Sequence, residues 1–288
     1  MSEEKGSSSP QRSEQAERLR RTQLPPLIQI IRARALLVAL TSRDLKARYR
    51  GSILGFFWSL ANPLMLLSVY TFIFTVFWKP RFEYQPYALF LFTGILPWTF
   101  FSGAVLESTS AVSANSALIK KVTFPGEILP LVVAASHLVH LVFALPILFG
   151  ALVVARLVVG TPIGISLVAL PLIVLMLAIF VAGVALAFSA IAVLFRDLRD
   201  IVANLLNLGF FLTPILYLPE SVFKTPLIGY LWRLNPMTPF VIAFQDIFFF
   251  SRFPSTLDWI LMAVYALVSA ALGLVIFDRL RDTLAEAV

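Results

Sequence analysis

The chain has 288 residues, 59% of them hydrophobic and 14% charged, with a mean hydropathy of +0.88 and a formal net charge of +7. That balance excludes an ordinary soluble domain, which carries more charge and shorter apolar runs, and points to a membrane protein. No cysteine is present, so disulfides, thiol catalysis and thiolate metal sites are excluded as well.

The first 24 residues, MSEEKGSSSPQRSEQAERLRRTQL, are polar and lack the apolar core and cleavage site of a secretory signal. They have the composition of a disordered cytosolic leader, and residues 25–288 are expected to form one membrane domain. Residues 27–48, LIQIIRARALLVALTSRDLKAR, are too charged to span but read as a helix on the membrane surface. On a helical wheel Gln29, Arg32, Arg43, Lys46 and Arg50 share one side. Ile30, Ile31, Leu37, Val38 and Leu45 lie roughly opposite, with Arg34 and Arg48 interrupting the apolar side. These cations serve at least as a positive-inside anchor; the pattern alone leaves a more specific role open. Gly51 and Gly55 let the chain turn into the first apolar run.

A helix needs about 20 apolar residues to cross roughly 30 Å of hydrocarbon. Six segments are read as spans: 54–78, 87–110, 127–155, 163–194, 201–217 and 257–277. Lys and Arg collect on the cytoplasmic side. With both ends inside, only Lys79, Arg81, Arg156, Lys224, Arg233 and Arg252 of the 23 Lys and Arg residues fall outside. The expected fold is therefore an all-α integral membrane protein with six transmembrane helices, N-in and C-in.

Motifs for hydrolysis are missing: there is no G-x-x-x-x-G-K-[ST] loop to cradle phosphate and no H-E-x-x-H pair. His137 and His140, at i and i+3 on the third span, have a spacing that suits a metal. No carboxylate or cysteine accompanies them nearby in sequence, which favours hydrogen bonding between helices. Glu107 and Glu127 stand near the inner ends of spans two and three, not at the midplane where an ion-driven carrier keeps its titrating group.

The 38 Phe, Trp and Tyr residues are too many for two interfacial belts. Tyr70 and Phe74 on span one, Trp98 and Phe101 on span two, and Phe210, Phe211 and Tyr217 on span five are read in two ways. They are either packing and lipid-facing residues, or a conduit whose π-faces stack on sugar rings and let a polymer slide. The inner loops 115–127, NSALIKKVTFPGE, and 195–200, FRDLRD, are solvated turns or docking knobs for a cytosolic partner. Residues 218–256 are too apolar for a free loop and too broken by proline for a clean span. Two short helices dipping into the outer leaflet would suit them.

The blocks LKARYRGSILGFFWSLANP, FTGILPWTFFSGAV, VLFRDLRDI, FLTPILY and NPMTPF, in that order, resemble the membrane subunits of bacterial polysaccharide exporters. The chain is similar over about residues 27–280 to ABC-2-type permeases that export lipid-linked O-antigen, teichoic acid and related glycans (the Wzm and TarG type). That resemblance implies a permease in the bacterial cytoplasmic membrane that binds no cofactor itself. A homodimer of it pairs with two copies of a cytosolic ATPase, which binds ATP and Mg, to move a lipid-linked polysaccharide; nucleic acid is not a partner. It also implies an interface helix at 27–48, a coupling helix at 115–126 and a pair of outer gate helices at 218–256. Lys120, Lys121, Phe124, Arg196 and Asp197 then face the ATPase. Spans one, two and five line the conduit, with Tyr70, Phe74, Phe210 and Phe211 at matching aromatic positions. Arg43, Lys46, Arg48 and Arg50 would stand where a lipid pyrophosphate enters, because phosphate attracts cations and they are densest there. The competing expectations are an ABC-2 exporter of small drugs or lipids, and a membrane enzyme acting on lipid-linked sugars. The enzyme would need converging acidic or histidine groups, and the sequence shows no such cluster.

Overall fold

The computed structural model describes residue 28 and residues 33–48, 50–52, 57–77, 86–115, 125–195, 197–218, 232 and 234–287. All regular structure among them is helical: α1 (Arg34–Arg48), α2 (Trp58–Phe72), α3 (Tyr87–Ser108), α4 (Ile128–Val159), α5 (Leu170–Leu194), α6 (Leu198–Leu212), α7 (Thr238–Phe248) and α8 (Thr256–Ala287). A π-helical stretch, Ile73–Phe77, continues α2, and a 3-10 stretch, Ile165–Ala169, leads into α5.

Among the described residues, four helical segments are long and apolar enough to cross a membrane: Tyr87–Ser108, Ile128–Val159, Ile165–Leu194 and Thr256–Arg281. Of the other two expected spans, that at 201–217 is shorter. The segment expected at 201–217 is helical only over Leu198–Leu212, about 22 Å at 1.5 Å per residue. It stops there because Pro214 has no N–H and disfavours helical geometry at the residue before it. Thr213 is accordingly extended, at φ −97° and ψ 139°. The segment expected at 54–78 is helical from Trp58 through Phe77, with Pro63 inside it. Gly160, at φ 82°, ends the 32-residue α4 by donating its N–H to the Arg156 carbonyl.

The tightest helix pair is α5 with α8. A Cβ on Gly273 would collide with the Gly183 carbonyl, and one on Gly183 would collide with the backbone of Ser269 and Ala270. In lipid, apolar helices gain little by leaving their surroundings. Close approach of backbones across small residues is what holds such a pair.

Beside this pair, α7 is buried along all eleven of its residues. Pro239 sits in its first turn, where a missing N–H costs nothing. Phe240, Phe244 and Phe248 are fully buried, and Phe240 stacks on Phe180 of α5 at 5.4 Å between ring centroids. Within 218–256, where two short helices are expected, α7 is the helix that is described; residues 219–231 and 233 lie outside the described residues.

Candidate functional site

One polar junction ties three helices together at the end of the bundle that carries the last turn of α3. Glu107, in that turn, offers one carboxylate oxygen to Arg48 of α1 and the other to the Nε2–H of His137 of α4, at 2.7 Å. Arg48 also donates from Nε to Asp44, one turn back on its own helix, at 2.9 Å. Burial would lower the Arg48 pKa, but its bonds to Glu107 and Asp44 outweigh this and hold it above the ordinary value. The room for this arrangement comes from Gly103, one turn before Glu107. A Cβ there would stand 2.7 Å from Cε1 of the His137 ring. His140 sets its ring at a right angle to that of His137, 5.9 Å away. The hydrogen bonding between helices expected for the histidine pair is thus realised by His137.

Above the junction lies a cavity of about 200 Å³ between α2, α3 and α4. Asn62, Thr99, His137 and His140 give it polar walls, and Leu96 and Phe100 are among its apolar ones.

The basic residues of α1 and of the turn after it do not form one patch. Arg43, Lys46 and Arg50 are exposed, whereas Arg48 is turned toward the bundle and engaged. Thr41 is buried and Leu37 and Leu45 are half-buried, while Val38, expected on the same apolar side, is 69% exposed. Arg48 lies on the packed side because Glu107 neutralises it there.

The seven conduit candidates divide into three groups. Trp98, 7% exposed, meets Phe101 at 5.6 Å and Phe210 at 6.0 Å, and Gly209 leaves room for its indole. Phe101 in turn stacks on Phe180 of the core. Tyr70 and Phe74 stack at 6.3 Å, and Phe74 meets Tyr87 edge-on at 4.6 Å. Tyr217 accepts from the Trp232 indole and donates to the Phe211 carbonyl. Phe211 itself is 65% exposed and touches the first group only through Phe210. Asp197 immediately precedes α6. Lys120, Lys121, Phe124 and Arg196 lie outside the described residues.

The ABC-2 type transporter family matches residues 35–249, a stretch that runs from α1 through α7. The chain belongs to that family. An O-antigen export system permease protein RfbA from Myxococcus xanthus is 36% identical over 259 residues, covering 88% of this chain and 96% of that protein. One from Klebsiella pneumoniae is 32% identical over 255 residues, covering 87% and 94%. As an ABC-2 transporter the chain is a multi-pass membrane protein, and its four long apolar helices accord with that. ABC-2 permeases are transmembrane subunits whose ATPase is a separate subunit. The family match includes α1 with its Arg48 and α3 with its Glu107, but not α8.

Sequence reading placed Glu107 and Glu127 near span ends but gave neither a partner. The signal for Glu107 was present in part: an acid ending a 22-residue apolar helix, with a glycine four residues earlier. Its partners stand 59 and 30 residues away in sequence, and no local spacing connects them. The same holds for Glu127, whose side chain is 1% exposed and is paired with Arg281 of α8, 154 residues away.

Proposed function

We propose that this chain is the membrane-spanning subunit of an ATP-driven exporter that carries a lipid-linked polysaccharide across the bacterial cytoplasmic membrane. One observation carries this reading: identity of 36% to an O-antigen export permease over nearly the whole of both chains. The chain works as a homodimer with two copies of a separate ATPase. It crosses the membrane six times, α2 with its π-helical continuation and the shorter α6 making two of the crossings, and both termini face the cytosol. In that orientation Glu107 and Arg48 are at the cytosolic end, so α1 meets the ATPase and Arg43, Lys46 and Arg50 lie open to a lipid pyrophosphate. The aromatic conduit passes Tyr70, Phe74 and Phe211 at the surface of the bundle, where a second copy would close it. Trp98, Phe101 and Phe210 stand behind as support.

The test is reconstitution in vesicles. The chain alone should hydrolyse no ATP, and with its ATPase it should hydrolyse ATP faster when lipid-linked glycan is supplied. Stimulation by small amphipathic drugs or simple lipids, and not by glycan, would replace this reading with that of a drug or lipid exporter.

A further inference from the structure

Glu107 is placed to do more than neutralise a cation. It is a single carboxylate whose two oxygens are bound by different helices, Arg48 of α1 on one and His137 of α4 on the other, while it belongs to α3. The remaining contacts between α1 and α4 are of another kind. Apart from Arg48, the inward side of α1 offers apolar or weakly polar side chains, with Thr41 buried and Leu37 and Leu45 half-buried. Apolar surfaces in or near lipid can slide past one another with little change in energy, because no registration is much better than the next. An ion pair with bonded oxygens is directional and can fix register, and this one is part-buried, with 25% of the Arg48 side chain and 38% of the Glu107 side chain exposed. Gly103 strengthens the case. It is the residue that allows His137 to approach, since any side chain there would meet the imidazole.

From this geometry we propose that Glu107 is a positioning residue for transport. By holding Arg48 and His137 together it makes α1, α3 and α4 move as one unit, so that displacement of α1 reaches the spans instead of being lost as sliding. This rests on the reading of the chain as the partner of an ATPase that acts on α1.

The experiment compares glycan exported per ATP hydrolysed in membrane vesicles containing the whole transporter. Glu107→Gln keeps the shape of the side chain but removes its charge and turns one of its two acceptors into a donor, so Arg48 loses its ion pair and His137 is held only as the tautomer that accepts at Nε2. Its basal ATP hydrolysis should persist, while export per ATP falls by roughly 5-fold or more, the low end of coupling between distant sites. Arg48→Lys, which keeps the charge but cannot reach Asp44 and Glu107 together, should show a smaller loss in the same direction. Because the chain has no cysteine, the link can also be rebuilt chemically. An Arg48→Cys, Glu107→Cys double variant should be uncoupled when reduced, regain part of the coupling when a short thiol-bridging reagent restores the α1–α3 link, and lose it again when the bridge is cleaved. A merely structural role would move stability and not this reversible ratio. Wild-type export per ATP in Glu107→Gln, or a bridged double variant that stays uncoupled, overturns the proposal. A wild-type transporter that exports no glycan overturns the functional reading as well, so the two failures are told apart.

Discussion

The two ends of α3 are held by different physics. At the Glu107 end the fastening is ionic: Arg48 and His137 grip one carboxylate, and Arg281 of α8 grips the nearly inaccessible Glu127 at the start of α4. At the Tyr87 end, about 30 Å away for a helix of this length, α3 itself is held by neutral contacts, and the ion pair described nearby, Arg252 with Asp246 at 2.7 Å, lies within and just after α7. The Tyr87 hydroxyl donates to the Leu216 carbonyl at 2.6 Å, Gln245 donates to the Pro214 carbonyl at 2.8 Å, and Asn235 donates to the Thr213 hydroxyl at 2.9 Å. All three brace the non-helical TPILY segment that follows α6. Around them the packing is aromatic, with Phe90 meeting Phe249 at 5.4 Å. Removing one partner from the charged fastening of α3 leaves an unpaired ion. Removing a neutral donor at its other end leaves only an unpaired carbonyl or hydroxyl.

That contrast can be broken by substitution. The largest effect is expected from Arg281→Met, which takes from the Glu127 carboxylate its described ion-pair partner at a site that is 1% exposed. Loss of about 3–5 kcal/mol is expected for breaking such a pair from one side, read as a large drop in thermal unfolding temperature in detergent. Adding Glu127→Met should recover most of it, because an apolar pair is no worse than an ion pair in that setting. A double variant as unstable as the single one would show that Glu127 has a role beyond its pairing with Arg281.

Gly103→Val comes next. It forces the His137 ring away from Glu107, and overpacking of this kind costs about 1–3 kcal/mol. The same unfolding measurement should show the loss, and its absence would mean that His137 moves aside freely.

At the neutral end Gln245→Leu should cost less. Only one of its amide groups is bonded, the buried Oε1 having no partner, and hydrogen bonds between membrane helices are worth at most about 1.7 kcal/mol. A loss as large as that of Arg281→Met would erase the distinction between the two ends.

The smallest effect is expected at Phe211, which is 65% exposed. Phe211→Leu should change stability by less than about 0.5 kcal/mol. A clear loss of export at unchanged stability would therefore report contact with substrate, while full export would remove Phe211 from the conduit.

Composition and hydropathy by themselves determined that the chain is helical and lies in a membrane, and where its long apolar helices run. An apolar stretch of 20 or more residues has no other way to satisfy its backbone in lipid. The ordered blocks from LKARYR to NPMTPF also led to the ABC-2 family, and the preference for hydrogen bonding at His137 followed from the lack of nearby ligands. Local rules could in addition have set the end of α6: Thr213-Pro214 is a readable stop, and extending the helix to 217 passed over it. Only the tertiary structure decided which of the basic residues is bound and which are free. On a wheel Arg48 is a flaw in an apolar face, and in the fold it is the side chain that face turns inward, because Glu107 stands opposite. Likewise Trp98, Phe101 and Phe211 look alike as aromatics in apolar helices. The first is buried, the second stacked on α5, the third open at the surface. Periodicity fixes the face of a residue on its own helix; what that face meets depends on helices up to 154 residues away, as with Glu127 and Arg281.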